Sequence, residues 1–319
     1  METDTQLSTF ETDVLTGLSS NPRFLSSKYF YDANGSILFE KIMRMPEYYL
    51  TDCELEIFQL HKEAISRAFE EAGTEFDLIE LGAGDGMKTK VLLAHLLTRK
   101  APFKYIPVDI SEQAVQCLTN DLKNEFPELA FEGLTGDYFQ LIDQLNGPDR
   151  KIILFLGSNI GNFDHEQSVS FLSSLKQLMN PGDLLLVGFD LKKDSRIILR
   201  AYNDPHGLTA AFNINLLLRI NRELTGDFNP DNFKHQEVYN PQTGTAKSYL
   251  ISKTDQRVTI GKLNKTFYFR KEEPIFMEMS QKYDLDMIEA LATRSGFAVT
   301  RNFFDSRRWF VNSLWRVNE

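Results

Sequence analysis

Asp77-Leu78-Ile79-Glu80-Leu81-Gly82-Ala83-Gly84-Asp85-Gly86 decides how this chain is read. The first five residues form a mostly apolar run of strand length, and three alternating glycines follow at once. Glycine serves where backbone must turn tightly, adopt positive φ or approach a ligand closely. Lys88–Arg99 (KTKVLLAHLLTR) then reads as an amphipathic helix, so the glycines occupy a strand-to-helix turn. A dinucleotide fingerprint wants Gly or Ala five residues after the first glycine, for close helix packing beneath a pyrophosphate; here that position is Met87. The bland alternative is a glycine-rich turn that holds nothing. The strand-to-helix context favours a ligand loop of another kind.

Outward from the loop, short apolar runs alternate with amphipathic stretches through residue 189. Tyr105–Ile110 (YIPVDI) reads as a second strand, and Ser111 as the N-cap of a helix through Glu125. Phe131–Leu134, Lys151–Leu156 and Asp183–Phe189 read as the third, fourth and fifth strands. His165–Met179 is an amphipathic helix that stops at the turn Asn180-Pro181-Gly182. Apolar strands alternating with helices imply a parallel sheet covered on both faces. The pattern then breaks. A helix at Thr209–Leu224 and an Asp/Asn/Pro-rich loop at Gly226–Asn232 precede alternating segments, Ala246–Ser252 and Lys265–Arg270, that suggest antiparallel strands. The first theme resumes with a helix at Asp286–Ser295 and strands at Ala298–Phe304 and Trp309–Val317. The fold class is therefore α/β: a sheet domain at 56–198 and 285–319, interrupted by an inserted α+β subdomain at 199–284, with residues 1–55 packing beside the insertion.

The 319 residues exceed one ordinary domain, and 42% apolar with 25% charged residues is average for a globular protein. The longest apolar runs, such as Ile152–Leu156, fall far short of a membrane span, and no secretory signal is evident. Net charge is −10, so the clustered basic footprint of a nucleic-acid binder is missing. Cys53 and Cys117 are isolated, which fits a reduced, cytoplasmic compartment, and a monomer is expected. The five histidines show no ligand spacing, so no metal is expected.

The E-x-G-x-G-x-G spacing of Glu80–Gly86 resembles the first motif of class I, Rossmann-like S-adenosylmethionine-dependent methyltransferases. Asp109, 27 residues after Gly82, ends the second strand, where a carboxylate accepts both ribose hydroxyls of a bound adenosine. Alone, it reads equally well as an acid at a helix N-terminus. Gly136-Asp137-Tyr138, after the third strand, is placed to cover the adenine, with Asp137 accepting from its amino group. Lys88 at the helix start is a candidate for the methionine carboxylate. Gly157-Ser158-Asn159-Ile160-Gly161-Asn162, after the fourth strand, suits hydrogen bonding to a small polar substrate, although these residues also favour ordinary turns.

Several separated motifs then match one family. Lys28-Tyr29-Phe30-Tyr31-Asp32, Gly35-Ser36-x-Leu38-Phe39-Glu40 and Met45-Pro46-Glu47-Tyr48-Tyr49-Leu50-Thr51 open the match. Phe155-Leu156-Gly157-Ser158-x-Ile160-Gly161-Asn162, Ala201-Tyr202-Asn203-Asp204, Gly207-x-Thr209-Ala210-x-Phe212-Asn213, Asn221-Arg222-Glu223-Leu224 and Glu278-x-Ser280-x-Lys282 continue it. Over nearly its whole length the chain resembles histidine-specific Nα-methyltransferases, which make trimethylhistidine (hercynine) in ergothioneine biosynthesis. That resemblance implies a class I methyltransferase sheet with a substrate-binding subdomain, S-adenosylmethionine as cofactor and L-histidine as substrate. By matched positions, it implies that Gly82, Gly84, Lys88, Asp109, Asp137 and Tyr138 bind the cofactor. Asn162 and Tyr202 would bind the substrate carboxylate, Glu278 with Ser280 the imidazole, while Tyr48 faces the substrate and Tyr31 lies near the amine. Tyr138 stands where the family commonly has Phe, and Ser248 near a position where some members carry Met.

The chemistry agrees with these roles. The α-amine must lose a proton before each attack, and Tyr48 and Tyr31 are the candidates to accept or relay it, with water as the alternative. Glu278 is an acceptor suited to an imidazole N–H. Three rivals are weighed against this reading. An N-methyltransferase for a tryptophan-derived alkaloid precursor would want an apolar group where Glu278 stands. A nicotinamide-dependent oxidoreductase is disfavoured by Met87. A cofactor-binding protein without catalysis has no use for Asn162, Tyr202 and Glu278 together.

Overall fold

The apolar run before the glycines forms β1 (Phe76–Leu81), an interior strand of a seven-stranded sheet. In this computed structural model, which describes residues 7–136, 141 and 149–317, the chain divides into two units. One comprises Met1–Tyr49 and Lys193–Ser280, the other Leu50–Lys192 and Gln281–Glu319. The boundary near residue 50 falls at the first turn of α1 (Tyr49–Glu70), not at 55/56. A 22-residue amphipathic helix that buries Ile57, Phe58, Ile65 and Phe69 is one rigid element and offers no break at 55.

The sheet belongs to the second unit. Its other strands are β2 (Phe103–Asp109), β3 (Leu134–Thr135), β4 (Arg150–Phe155), β5 (Leu184–Asp190), β6 (Phe297–Phe304) and β7 (Phe310–Val317). The order is β6-β7-β5-β4-β1-β2-β3, with β1 to β5 parallel and β7 antiparallel between β5 and β6. Strands covered on both faces must be apolar throughout, and all seven residues of β5 are buried. Ile79, Phe155, Val187, Phe189 and Trp315 form the core with Phe171 and Leu172 of α4 (His165–Gln177). The helices α2 (Thr89–Thr98), α3 (Glu112–Glu125) and α5 (Leu285–Arg294) complete the unit. Ser111 caps α3 through Ala114 N–H at 3.2 Å, and Asp164 forms a capping box with Gln167 on α4.

The third strand departs from expectation. Phe131 makes only an isolated bridge to Tyr105, and pairing resumes at Leu134–Thr135. Gly133 intervenes, packed so closely on α3 that a Cβ would lie 2.7 Å from Val115 and 2.8 Å from Thr119. Backbone drawn onto a helix cannot also extend a ladder.

In the first unit, four strands lie in the order Arg23–Phe24, Pro274–Gln281, Thr245–Ser252, Phe233–Asn240. The first pair is parallel and the last antiparallel. Gln256–Ile260 and Lys265–Phe269 form a separate antiparallel pair. The helix Leu208–Leu224 buries Phe212, Leu216, Leu217, Ile220 and Leu224 in this unit's core. Asp204 receives the Leu208 and Thr209 N–H groups at 2.9 and 2.8 Å; although burial opposes ionisation, these bonds hold its carboxyl below the usual range.

Candidate active site

The glycine loop is built from positive-φ backbone: +77° at Gly82, +55° at Gly84 and +65° at Gly86. Gly82 and Ala83 N–H donate to Val108 O at 2.8 and 3.1 Å, which ties the loop to β2. A Cβ on Gly84 would meet nothing within 4 Å, so a side chain there would project into the open space that the loop borders. Asp109 closes one side: Oδ2 accepts from Gly84 N–H and Oδ1 from Ser111 N–H, both at 2.9 Å. A carboxylate has about four lone-pair sites, so two of them remain for hydroxyls. Open space over a glycine backbone, beside a fixed carboxylate at the carboxyl ends of parallel strands, fits an adenosine-containing cofactor. Asp137 and Tyr138 lie outside the described residues.

Glu80, one turn of strand before the loop, is fully buried and accepts from Tyr105 Oη and, at 2.7 Å, Thr89 Oγ1. Burial pushes its carboxyl up from an ordinary 4.5 to about 7, against those hydrogen bonds. Because the folded state favours the proton, stability falls as pH rises from about 4.5 to about 7 and is flat above. Glu80→Gln keeps an amide in place and removes this dependence. Between pH 4.5 and 7.5 the variant is expected to gain about 3 kcal/mol relative to wild type in urea unfolding. A constant gap across that range would show that Glu80 ionises normally.

Lys88 is not a lone helix-start lysine. Its Nζ pairs with Glu54 Oε2, which also accepts from Gly157 N–H at 2.9 Å. Glu54 escapes sequence reasoning, since one glutamate in an amphipathic helix carries no mark of burial. After β4, Gly157 and Ser158 both take positive φ (+71° and +57°), and Asn159–Asn162 forms a single 3-10 turn. A Cβ on Gly161 would lie 2.9 Å from Gln281 O, so only glycine fits there; Asn162 is exposed at the end of the turn.

The other candidate residues belong to the first unit. Tyr202, the last residue of the helix Ser195–Tyr202, meets Ser280 Oγ through its hydroxyl at 3.1 Å. Its ring packs edge-on against Tyr48, with centroids 6.1 Å apart. Phe39 carries the contact onward, 6.3 Å from Tyr48 and 5.4 Å from Tyr31, which is 37% exposed. Tyr31, Tyr48, Tyr202 and Ser280 thus form one connected group. Glu278 shares a strand with Ser280 two residues on, so both side chains point to one face. Ser248 donates to Glu237 at 2.5 Å on the neighbouring strands.

Two supports of this group were not visible in the sequence. Arg200 pairs with Glu47 at 3.2 Å, joining the Tyr202 helix to the residue before Tyr48. His235 Nε2 donates to Tyr202 O at 3.0 Å, and burial lowers the pKa of the ring, keeping it neutral. A carbonyl only accepts, so Nε2 carries the proton.

A largely parallel sheet with a glycine cradle after β1 and a fixed carboxylate at the end of β2 is the layout of a class I S-adenosylmethionine-dependent methyltransferase, and the sequence match specifies that class. The sequence model described as histidine-specific methyltransferase, SAM-dependent, matches residues 10–317. This chain belongs to that family. It is 35% identical over 302 residues to a histidine N-alpha-methyltransferase of Mycobacterium tuberculosis, covering 95% of this chain and 93% of that protein. It is 30% identical over 266 residues to ergothioneine biosynthesis protein 1 of Schizosaccharomyces pombe, covering 81% of this chain and 34% of that longer protein. Among solved structures, magnesium protoporphyrin IX methyltransferase of Synechocystis, with bound SAH, aligns at 15% identity and TM-score 0.44 over 92% of this chain and 98% of that one.

Proposed function

We propose that this protein transfers methyl groups from S-adenosylmethionine to the α-amino nitrogen of L-histidine, up to trimethylhistidine (hercynine), within ergothioneine biosynthesis. The observation that carries this reading is the family match across residues 10–317, which takes in every residue assigned below. When bound, S-adenosylmethionine supplies an electrophilic methyl group on a sulfonium. Gly82 and Gly84 give it room, Asp109 accepts from its ribose and Lys88 receives its carboxylate, with Asp137 and Tyr138 assigned to the adenine.

The remaining roles belong to the amino acid. Asn162 and Tyr202 hold the substrate carboxylate, and Glu278 with Ser280 holds the imidazole. Orientation supplies much of the acceleration in a displacement of this kind. An ammonium has no lone pair, so the amine must be deprotonated before each transfer; Tyr48 and Tyr31 accept or relay that proton. Their rings also favour growing methylammonium charge, by about 0.5–2 kcal/mol through cation–π contact. In this reading the protein works as a cytoplasmic monomer with a small-molecule substrate. No helix among the described residues is long and apolar enough to cross a membrane.

The test is direct. Incubation with S-adenosylmethionine and a panel of amino acids should add up to three methyl masses to histidine. No gain on histidine overturns the reading, and gain on a tryptophan derivative instead would support the alkaloid-precursor rival.

A further inference from the structure

Three adjacent strands carry glycine near their carboxyl ends: Gly82 after β1, Gly157 after β4 and Gly188 within β5. An ideal side chain shows what Gly188 makes room for. A Cβ on Gly188 would lie 2.4 Å from Glu54 Oε1; one on Gly157, held at a φ of +71°, would lie in ordinary contact range of Lys88 Nζ. The space so kept holds the carboxylate of an ion pair. Glu54 is fully buried, while the Lys88 side chain remains 21% exposed. A buried carboxylate is costly unless paired, and here α1 delivers one onto a lysine at the cofactor loop. None of the roles assigned above uses it.

We propose that Glu54 is a positioning residue that acts through Lys88: it holds the ammonium in place so that its remaining donors meet the carboxylate of the cofactor's methionine part. The proposal rests on the assignment of Lys88 to that carboxylate. An ammonium has three donors, and the pair with Glu54 leaves others for a ligand on the exposed side. A lysine stem loses considerable rotamer freedom when a ligand immobilises it. Glu54 imposes that loss during folding instead, so binding no longer bears it. The Gly157 N–H, at 2.9 Å, fixes the carboxylate in turn and sets it against the loop after β4.

Two probes isolate this effect in calorimetric titrations of the full chain. S-adenosylhomocysteine carries the amino-acid carboxylate, whereas 5′-methylthioadenosine lacks the amino-acid part altogether. Glu54→Gln should weaken S-adenosylhomocysteine about tenfold and leave 5′-methylthioadenosine within about twofold, the loss expected from a freed lysine stem. KM for S-adenosylmethionine should rise by a similar factor, with kcat within about threefold. In a Lys88→Met background the same change should have no further effect. Equal loss on both probes would reduce Glu54 to a structural role and overturn the proposal. Tighter S-adenosylhomocysteine binding would do so as well, because Glu54 would then be competing with the ligand for Lys88. Should Glu54→Gln not fold, Glu54→Asp keeps the charge and shortens its reach; it should show the same probe-selective loss, and equal losses overturn the proposal. The underlying assignment is separable: Lys88→Met alone leaving the preference for S-adenosylhomocysteine intact would remove Lys88 from the cofactor.

Discussion

Glu278→Ala is expected to lower kcat/KM for histidine by about 100-fold while changing turnover of an indole substrate by less than about threefold. The asymmetry follows from what each ring presents. Under the proposed function an imidazole N–H donates to the Glu278 carboxylate, a charge-assisted bond of about 1.5–3 kcal/mol, and its loss also strands a buried donor. An indole substrate selected by apolar contact has no such stake in a carboxylate. The geometry supports placing the effect here. Glu278 and Ser280 share one face of the strand Pro274–Gln281, and Ser280 is held by the Tyr202 hydroxyl at 3.1 Å. Glu278→Gln retains an acceptor without charge and should lose about tenfold, an intermediate result that a purely steric role would not give. Equal losses on histidine and indole substrates would show that Glu278 does not read the imidazole.

How much was legible in the chain depended on burial. Strands buried on both faces are written in apolar residues, so Lys151–Leu156 and Asp183–Phe189 were readable to within a residue or two of β4 and β5. The edge strand β3 has only two residues and buries little, so Phe131–Leu134 misplaced it. Phe233–Asn240 alternates buried or partly buried with exposed positions, yet its less exposed residues include His235 and Glu237, which read as polar surface in a sequence. The cofactor loop was legible because positive φ demands glycine and so leaves a mark. The ion pair of Glu54 with Lys88 leaves none: its partners lie 34 residues apart, and the space for the Glu54 carboxylate is explained by the three-dimensional position of Gly188.

Many residues that carried the family resemblance turn out to be scaffold. Asp32 caps the helix Ala33–Met43 through Gly35 N–H at 2.7 Å, accepts from Asn215 at 2.8 Å and pairs with Arg222 at 2.5 Å. Asn221 closes the turn at Phe228 with two hydrogen bonds, at 2.7 and 2.8 Å. In the same unit Phe30, Phe39 and Phe212 pack together, and between them Phe39 and Phe212 contact the rings of Tyr31 and Tyr48. Residues engaged in intrachain hydrogen bonds and ion pairs therefore identified the family alongside those proposed to bind a ligand.

The Glu278-x-Ser280-x-Lys282 motif shows the same division within five residues. Lys282 belongs to the other unit and forms an ion pair with Asp190 at 2.8 Å, with both side chains fully buried. Asp190 ends β5, where its N–H donates to Ser158 Oγ at 3.1 Å and its carbonyl accepts from Tyr283 N–H at 2.9 Å. Lys282→Met fills a similar volume and removes the cation paired with a fully buried carboxylate, so a loss of about 3–5 kcal/mol is expected. The double variant Lys282→Met with Asp190→Asn should recover part of it, because a neutral amide is far less costly to bury than a carboxylate that has lost its lysine. Both tryptophans, Trp309 and Trp315, lie in the same unit as the pair. Urea unfolding followed by their fluorescence therefore reports the affected unit directly. A loss under about 1 kcal/mol would equal that of an exposed ion pair. Lys282 would then contribute little beyond its packing, and the motif would owe its third position to some other constraint.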